Sequence, residues 1–149
     1  MVVFILIGVP GSGKTSWAKK QKLPIVNIDV CRFKIAGTWD FHPPSSELKE
    51  KAFSLAVLES LRYLQLGSSI IWDGTNITRR DRNSILLALS TYTPDFIAIV
   101  FMCTLNECFR RNNFRQQGKI EDSIIIDRFN KLRNEPVTRE EGFMSVLYF

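Results

Sequence analysis

An eight-residue segment near the beginning of the chain has the residue types and spacing of a phosphate-binding loop. Residues Gly8–Thr15 read GVPGSGKT and fit the pattern G-x-x-x-x-G-K-[S/T] at every defined position. The glycines let the backbone turn so that several N–H groups point into one concavity, which suits an anion. Lys14 would reach the β- and γ-phosphates of a nucleotide, and the Thr15 hydroxyl would bind Mg²⁺. The segment predicts nucleoside-triphosphate binding.

A second polar motif, Asp29-Val30-Cys31-Arg32, follows the second apolar run of the chain. Arg32 lies three residues after Asp29, so the two side chains share a face if a helix begins there. One interpretation is a helix-capping aspartate with a local ion pair. The other is a general base close to an acceptor hydroxyl, with the arginine orienting the base or the acceptor. Both interpretations stay open on the residues alone.

A third motif, Asp73-Gly74-Thr75-Asn76, comes directly after the apolar run that ends in Trp72. An apolar strand that ends in aspartate is typical of the second carboxylate on the metal side of P-loop enzymes. A turn aspartate before glycine is the alternative. The grouping of Asp73, Thr75 and Asn76 at one strand end favours a functional role.

A fourth motif contains three arginines within six residues, Arg110 to Arg115. Arg111 and Arg115 are four apart and are expected to share a helix face, where two like charges cost about a few tenths of a kcal/mol. A polyphosphate between them would more than offset that cost. Arginines from a nearby lid commonly stabilise charge on a transferring phosphoryl group. A solvated basic helix end is the other interpretation.

The elements that must position these motifs alternate along the chain between apolar runs and helical patterns. Continuous apolar strands indicate a parallel sheet covered on both faces, and the alternation favours a doubly wound α/β fold. Strands are predicted at Val2–Ile7, Pro24–Ile28, Ser69–Trp72 and Phe96–Met102, and helices at Lys14–Gln21, Ser46–Leu66, Arg79–Thr91, Leu105–Phe114 and Ile120–Asn134.

The remaining segments are irregular or terminal. Gly37–Ser45 contains Pro43-Pro44, and Asn112–Glu121 is polar with a glycine in its second half. Such segments at strand carboxyl ends tend to border the ligand crevice of an open α/β sheet. The last residues, 141–149, are compatible with a short final strand at the sheet edge.

Composition limits the class of protein. The 149 residues are 45% apolar and 23% charged, which favours one soluble domain over residues 1–149 with the cytoplasm as the default compartment. No apolar run approaches the roughly 20 residues that span a bilayer, so no membrane association is expected. Its three cysteines have no metal spacing, and its net charge of +5 is compatible with a polyanionic partner or with a solvated basic surface.

Taken together, the four motifs resemble the 5′-hydroxyl polynucleotide kinase family over nearly the whole chain. Ile7–Ala18 looks like the P-loop and following helix of that family, including Trp17, and Asp29–Arg32 matches its Asp-x-x-Arg element. Asp73–Asn76 resembles its Asp-Thr-Asn element with one residue inserted. Arg111 and Asn112 fall as in the family's lid, with Arg115 at the lid's catalytic arginine.

The resemblance implies an ATP- and Mg²⁺-dependent kinase with a P-loop NTPase fold, similar to adenylate kinases in its short parallel sheet and carrying a small arginine lid. The family's aspartate is the general base on the 5′-hydroxyl, and its arginine contacts the acceptor or the reacting phosphate. The expected catalytic residues are Lys14, Asp29, Arg32 and Arg115. The expected nucleotide-binding residues are Gly8, Pro10, Gly11, Ser12, Gly13, Lys14, Thr15, Ser16, Arg111 and Arg115. Substrate-binding residues are expected at Arg32, Asp73, Thr75 and Asn76, and Thr15 is the expected metal ligand.

The implied acceptor is the 5′-OH end of RNA or DNA. A phosphatase or ligase domain, which often accompanies such a kinase, is not among the 149 residues and would be either a separate partner or a part of the protein outside them. A small-molecule or nucleotide kinase of the same P-loop group is the first alternative. A closed apolar acceptor pocket near Gly37–Ser45 would favour it, and an open basic groove would favour a polynucleotide. The second alternative is an NTP-hydrolysing switch or binding module. The common GTPase type is disfavoured, since Asn130–Arg133 reads NKLR and lacks the aspartate of N-K-x-D.

Overall fold

Five parallel strands form one sheet in the order β2-β3-β1-β4-β5 in the computed structural model, which describes residues 1–92 and 94–149. The strands are β1 (Val2–Ile7), β2 (Ile25–Asn27), β3 (Ile70–Asp73), β4 (Asp95–Val100) and β5 (Ser145–Tyr148). Every neighbouring pair is parallel. The predicted α/β class is confirmed, and the final strand lies at the sheet edge beside β4.

In the described part of the chain, six α-helices connect or follow these strands. They are α1 (Lys14–Ala18), α2 (Ile28–Ala36), α3 (Ser46–Gln65), α4 (Arg79–Leu89), α5 (Leu105–Asn113) and α6 (Asp122–Asn134), with short 3₁₀ turns at Ser90–Tyr92 and Arg139–Glu141. The first helix is shorter than the predicted Lys14–Gln21. Among the described residues, no helix has the length and apolar character needed to cross a membrane.

The residue pattern alone does not establish helix α2, because this segment has no apolar stripe. Only Cys31 of its nine residues is buried. The helix begins because the Asn27 side chain accepts hydrogen bonds from the backbone N–H groups of Asp29 and Val30, at 2.9 and 3.0 Å. The cap is therefore Asn27, and the capping role considered for Asp29 is wrong. The predicted strand Pro24–Ile28 is shortened for the same reason.

The sheet is covered on both faces, as the apolar strands predicted. Alternate residues of β1 point to opposite sides. Val3, Ile5 and Ile7 belong to the larger core, which helices α3 and α4 cover, whereas Leu6 belongs to a smaller core with Trp17 and Ala18. This arrangement leaves the carboxyl ends of β1, β2 and β3 side by side at one edge of the sheet.

A buried ion pair holds the segment that follows β3. The Arg82 guanidinium is fully buried and donates to both carboxylate oxygens of Glu141, at 2.6 and 2.9 Å. It also donates to the carbonyl of Ile77 at 2.7 Å. One side chain thus joins α4, the loop after β3 and the final 3₁₀ turn. Two further arginines, Arg79 and Arg80, lie within three residues of it in sequence, so the residue pattern does not mark Arg82 as different.

Replacing Arg82 with alanine is expected to lower the free energy of unfolding by about 3–5 kcal/mol, because it leaves the Glu141 charge buried without its partner. Denaturant unfolding followed by circular dichroism measures this loss. Lys51→Ala is the control, since Lys51 pairs with Glu47 on the surface, with both side chains more than half exposed, and should leave the free energy of unfolding nearly unchanged. Equal losses in the two variants would contradict the role assigned to Arg82.

Candidate active site

The phosphate-binding loop connects β1 to α1 and is held from two sides. Its Gly8 N–H donates to the carbonyl of Thr75, 3.0 Å away, in the loop after β3. Gly11 has a φ of +82°, and a Cβ added there would lie 2.7 Å from the backbone oxygen of Cys108 in α5. Gly13 precedes α1 in the left-handed conformation, with a φ of 98°. The loop requires glycine at these positions because of backbone geometry and close packing.

Lys14 lies buried inside the concavity of the loop. Its Nζ donates to the carbonyls of Gly8 and Val9, both at 2.8 Å, and to the Ser12 hydroxyl at 3.3 Å. Burial, partly offset by the Asp73 carboxylate, lowers the pKa of Lys14 to about 8. An ammonium held under these conditions gains most from a dense negative charge such as a polyphosphate.

The Asp73 carboxylate joins three elements of the site. Its Oδ2 accepts hydrogen bonds from the Thr15 hydroxyl and from the Asn27 amide, each at 2.7 Å. Asp73 is 2% exposed, and its burial raises the pKa of the carboxyl. The hydrogen bond from Thr15 lowers this pKa but does not cancel the effect of burial. The bond to Thr15 favours the metal-side role for Asp73 over direct contact with an acceptor.

The oxygen atoms of Thr15 and Asp73 fit a magnesium ion that arrives with phosphates. Mg²⁺ prefers oxygen ligands and is usually held by one or two carboxylates together with substrate phosphates and water. A hydroxyl and a carboxylate 2.7 Å apart supply that set beside the loop. Within residues 1–92 and 94–149, no cluster of three or more His, Cys, Asp or Glu side chains offers a separate metal cage.

Asp29 and Arg32 form an ion pair in the first turns of α2. The Arg32 Nη1 donates to Asp29 Oδ1 at 2.8 Å, and the side chains are 16% and 40% exposed, respectively. The pair lies opposite the phosphate-binding loop because α2 begins at the carboxyl end of β2. An exposed carboxylate fixed by an arginine is suitable for accepting a proton from a hydroxyl group.

A small cavity of about 40 Å³ brings most of the predicted residues together; we call it the transfer cavity. Its walls include eight of the residues singled out in the sequence, namely Pro10, Lys14, Thr15, Asp29, Arg32, Asp73, Thr75 and Arg115. Arg128 of α6 also lines it and was not predicted. In sequence Arg128 does not differ from the exposed arginines around it, so nothing in the sequence marks it as a residue of the site.

A larger cleft of about 660 Å³ adjoins the transfer cavity, and both are lined by Ile28, Arg32, Thr75 and Arg128. The cleft reaches the irregular segment Gly37–Ser45, as predicted for a ligand crevice. Its walls mix apolar side chains with charges of both signs, including Pro43, Phe53, Trp72, Ile85, Asp81, Asp127 and Lys131. The cleft is therefore neither a closed apolar pocket nor an open basic groove.

The arginines at the end of α5 are arranged differently from the prediction. The helix ends at Asn113, so Arg115 lies in the following turn and does not share a helix face with Arg111. Arg111 donates to Glu107 at 2.7 Å and to the carbonyl of Gly11 at 3.2 Å, which holds it over the loop. Hydrogen bonds from Arg110 and Arg111 lower the pKa of Glu107 to about 2. The Glu107 carboxylate is therefore the counter-charge of Arg110 and Arg111, and the repulsion expected between Arg111 and Arg115 on one helix face does not arise.

Arg115 is carried by a loop that Asn112 closes. The Asn112 side chain is fully buried, donates to the carbonyl of Ile120 at 2.6 Å and accepts from the N–H of Ile120 at 3.1 Å. Residues 113–119 therefore form a lid loop whose two ends meet at one amide. Arg115 itself donates to the carbonyl of Gly118 at 3.3 Å and faces the transfer cavity.

Other predicted residues have mainly backbone roles or lie outside the cavity. Asn76 is buried with a φ of 48°, and its amide nitrogen donates to the carbonyl of Leu6 at 2.7 Å. It braces the end of β1 while lining the larger cleft. Pro10 lines the transfer cavity, and Ser16 is exposed on α1.

A family model described as an AAA domain, AAA_33, matches residues 3–132. The chain belongs to this family. Together with the parallel sheet and the loop after β1, the match defines a P-loop kinase-like domain, which implies nucleotide binding. No curated protein matches the sequence.

Several solved structures share the fold. A chain of the Pnkp1/Rnl/Hen1 RNA repair complex superposes with a TM-score of 0.74 at 23% identity, over 89% of this chain and 44% of that chain. A sugar kinase from Janibacter sp. gives 0.70 at 17% identity, over 99% and 85% of the two chains. Chaetomium thermophilum Kti12 in complex with ADP-AlF3 gives 0.71 at 15% identity, over 99% and 88%. This chain thus spans less than half of the RNA repair protein, and the likeness at these identities concerns the fold.

Gly11→Ala is expected to weaken nucleotide binding at least tenfold. The new Cβ meets the Cys108 carbonyl oxygen at 2.7 Å, and the left-handed conformation costs a residue with a side chain about 1–2 kcal/mol. Binding of a fluorescent ATP analogue measures the effect. Gly67→Ala is the matched control, because Gly67 has a φ of +76° with no atom within 4 Å of the added Cβ. A Gly11→Ala affinity equal to that of the control would show that packing against α5 does not shape the loop.

Proposed function

We propose that this domain, residues 1–149, is an ATP-dependent kinase that transfers the γ-phosphate to an alcohol, with the 5′-OH end of RNA or DNA as the first choice of acceptor. The observation that carries the proposal is the transfer cavity, in which Lys14 and Thr15 of the phosphate-binding loop face the Asp29–Arg32 pair. A loop that only bound or hydrolysed a nucleotide would not need a second polar pair fixed opposite the phosphates.

The nucleotide side of the reaction uses the loop. The loop N–H groups and Lys14 hold the β- and γ-phosphates. Thr15 and Asp73 would hold Mg²⁺, which would neutralise part of the phosphate charge. Lys14 exchanges its carbonyl partners for phosphate oxygens, a favourable exchange for an ammonium that burial has separated from solvent.

The acceptor side uses α2 and the lid loop. Asp29 accepts the proton of the attacking hydroxyl, and Arg32 holds Asp29 in position through their 2.8 Å hydrogen bond. Arg115, helped by Arg111, neutralises the charge that develops on the transferring group. Arg111 is already held over the loop by its bond to the Gly11 carbonyl, so less ordering is required when the nucleotide binds.

Three observations support a polynucleotide acceptor. They are the Asp-x-x-Arg element, the net charge of +5 and the structural likeness to a chain of an RNA repair complex.

The cleft itself favours a second candidate, a kinase of a small molecule. Its volume of about 660 Å³ is in the range of ligand pockets, about 300–1,000 Å³, and a sugar kinase has the same fold. Both candidates use the same transfer chemistry, and they differ only in what fills the cleft.

Asp29→Ala is expected to lower phosphate transfer by about 10²–10⁴-fold, because the hydroxyl loses its base, while ATP affinity stays within about threefold. Transfer from γ-labelled ATP to a panel of 5′-OH oligonucleotides, nucleosides and small alcohols measures the rate. Asp29→Asn preserves the shape of the side chain and should be equally slow. Asp40→Ala removes an exposed carboxylate outside the transfer cavity and should transfer at the wild-type rate.

Retained turnover in Asp29→Ala would reject Asp29 as the base. In the same assay, label that enters only the small compounds would reject the polynucleotide acceptor and leave the small-molecule candidate. Nucleotide hydrolysis without label in any acceptor would reject the kinase altogether.

A further inference from the structure

A third cavity, of about 490 Å³, lies between α2 and the lid loop. It is lined by Phe33 of α2, by Trp39 of the segment that follows α2, and by Gln116 and Gln117 of the lid loop. Among the described residues, it shares His42 with the larger cleft and no residue with the transfer cavity. We call this space the aromatic recess. It is a separate space beside the site described above.

The aromatic recess contains a stacked pair of rings. The ring centroids of Phe33 and Trp39 are 4.6 Å apart, and the two ring planes are 16° from parallel. Trp39 also packs at an angle against the buried ring of Phe41, with 6.3 Å between the centroids. In the described part of the chain, the apolar cores contain neither Phe33 nor Trp39, and Phe33 is 36% exposed. Core packing therefore does not explain the stacked pair.

The rings and the rim of the recess together suit a nucleobase. Bases of single-stranded nucleic acids bind proteins by stacking on aromatic side chains. At the rim, the exposed amides of Gln116 and Gln117 can donate and accept hydrogen bonds at the edge of a base, and the Asp40 carboxylate can accept them. Lys119 adds a positive charge that suits the phosphodiester attached to such a base.

Helix α2 and the lid loop both connect the recess to the transfer cavity. Phe33 follows Asp29 by four residues in α2, so the ring and the carboxylate share a helix face, about 6 Å apart along the helix axis. In the lid loop, Arg115 lines the transfer cavity and the next residue, Gln116, lines the recess. A strand with its 5′-hydroxyl at Asp29 can therefore place a base from its end in the recess.

Resting on the proposed kinase function with a polynucleotide acceptor, we propose that Phe33 and Trp39 form a stacking platform for an unpaired base at the 5′ end of the acceptor strand. The platform makes the domain selective for single-stranded ends. In a duplex the same base is paired and stacked on its neighbours, and it must leave the duplex before it can enter the recess, which costs free energy. The two rings thus determine specificity and take no part in the transfer of the phosphate.

The test compares the binding of two short single strands and needs no turnover. One is a 5′-OH oligonucleotide, and the other has the same sugar-phosphate chain but lacks the bases of its first two nucleotides. With a non-hydrolysable ATP analogue present, calorimetry is expected to give a Kd at least tenfold lower for the complete strand. In Trp39→Leu this ratio is expected to fall below about threefold, whereas Trp39→Phe keeps an aromatic ring and should retain most of it. Tyr63→Leu, which changes an exposed aromatic residue of α3 outside the three cavities, should keep the wild-type ratio.

A blunt duplex with the same 5′-OH end is expected to bind at least tenfold more weakly than the single strand. Equal binding of the complete and base-free strands would overturn the proposal, as would an unchanged ratio in Trp39→Leu or equal binding of the duplex. Transfer of label to small alcohols without binding of any oligonucleotide would overturn it too, while leaving the kinase activity in place. Absence of transfer to every acceptor would reject the proposed function separately, since the binding ratios are obtained without it.

Tryptophan fluorescence locates the bound base. The complete strand is expected to quench the emission of the wild-type protein, and this quenching is expected to disappear in Trp39→Phe although that variant still binds. Quenching that persists would place the base at another tryptophan, such as Trp72 in the larger cleft, and contradict the proposal. The Kd of the ATP analogue in Trp39→Leu should stay within about threefold of the wild-type value, because the recess and the transfer cavity have separate walls. A larger loss would assign Trp39 to the support of the nucleotide site and contradict its role in base binding.

Discussion

The buried carboxylate of Asp73 is the interaction on which the site depends. One oxygen atom accepts hydrogen bonds from Thr15 at the start of α1 and from Asn27 at the end of β2. The same Asn27 caps α2 with its other side-chain atom. The position of Asp29 and Arg32 relative to the phosphate-binding loop therefore follows from two hydrogen bonds to a single oxygen. An unpaired carboxylate at this depth would be costly, so both partners are held firmly.

A second group of contacts fixes the segment that supplies Thr75 and Asn76. The ion pair between Arg82 and Glu141 holds this segment, and the Asn76 amide links it to β1 by donating a hydrogen bond to the Leu6 carbonyl. The Thr75 carbonyl in turn receives the N–H of Gly8. The phosphate-binding loop is thus braced by a chain of polar contacts that ends in the final 3₁₀ turn. This dependence explains why residues far from the loop in sequence belong to its support.

Local patterns predicted the parts of the molecule that depend on neighbouring residues in the chain. The loop motif, the apolar strands and the grouping of motifs at one sheet edge needed only sequence spacing and parallel topology. The pattern could not predict α2, because its start depends on the Asn27 cap and it buries only Cys31. Nor could it distinguish Arg82 and Arg128 from surface arginines such as Arg133. Their burial results from tertiary packing, which short-range spacing does not encode.

The closure of the lid loop by Asn112 has a consequence for how such a domain can change. Because both ends of residues 113–119 meet at one buried amide, the strands and helices below do not depend on what lies between them. Added residues in such a loop cost little, since closure entropy grows only slowly with length. The lid can therefore be lengthened, shortened or exchanged as a module. The length of this segment can thus vary while the sheet and the phosphate-binding loop keep their geometry.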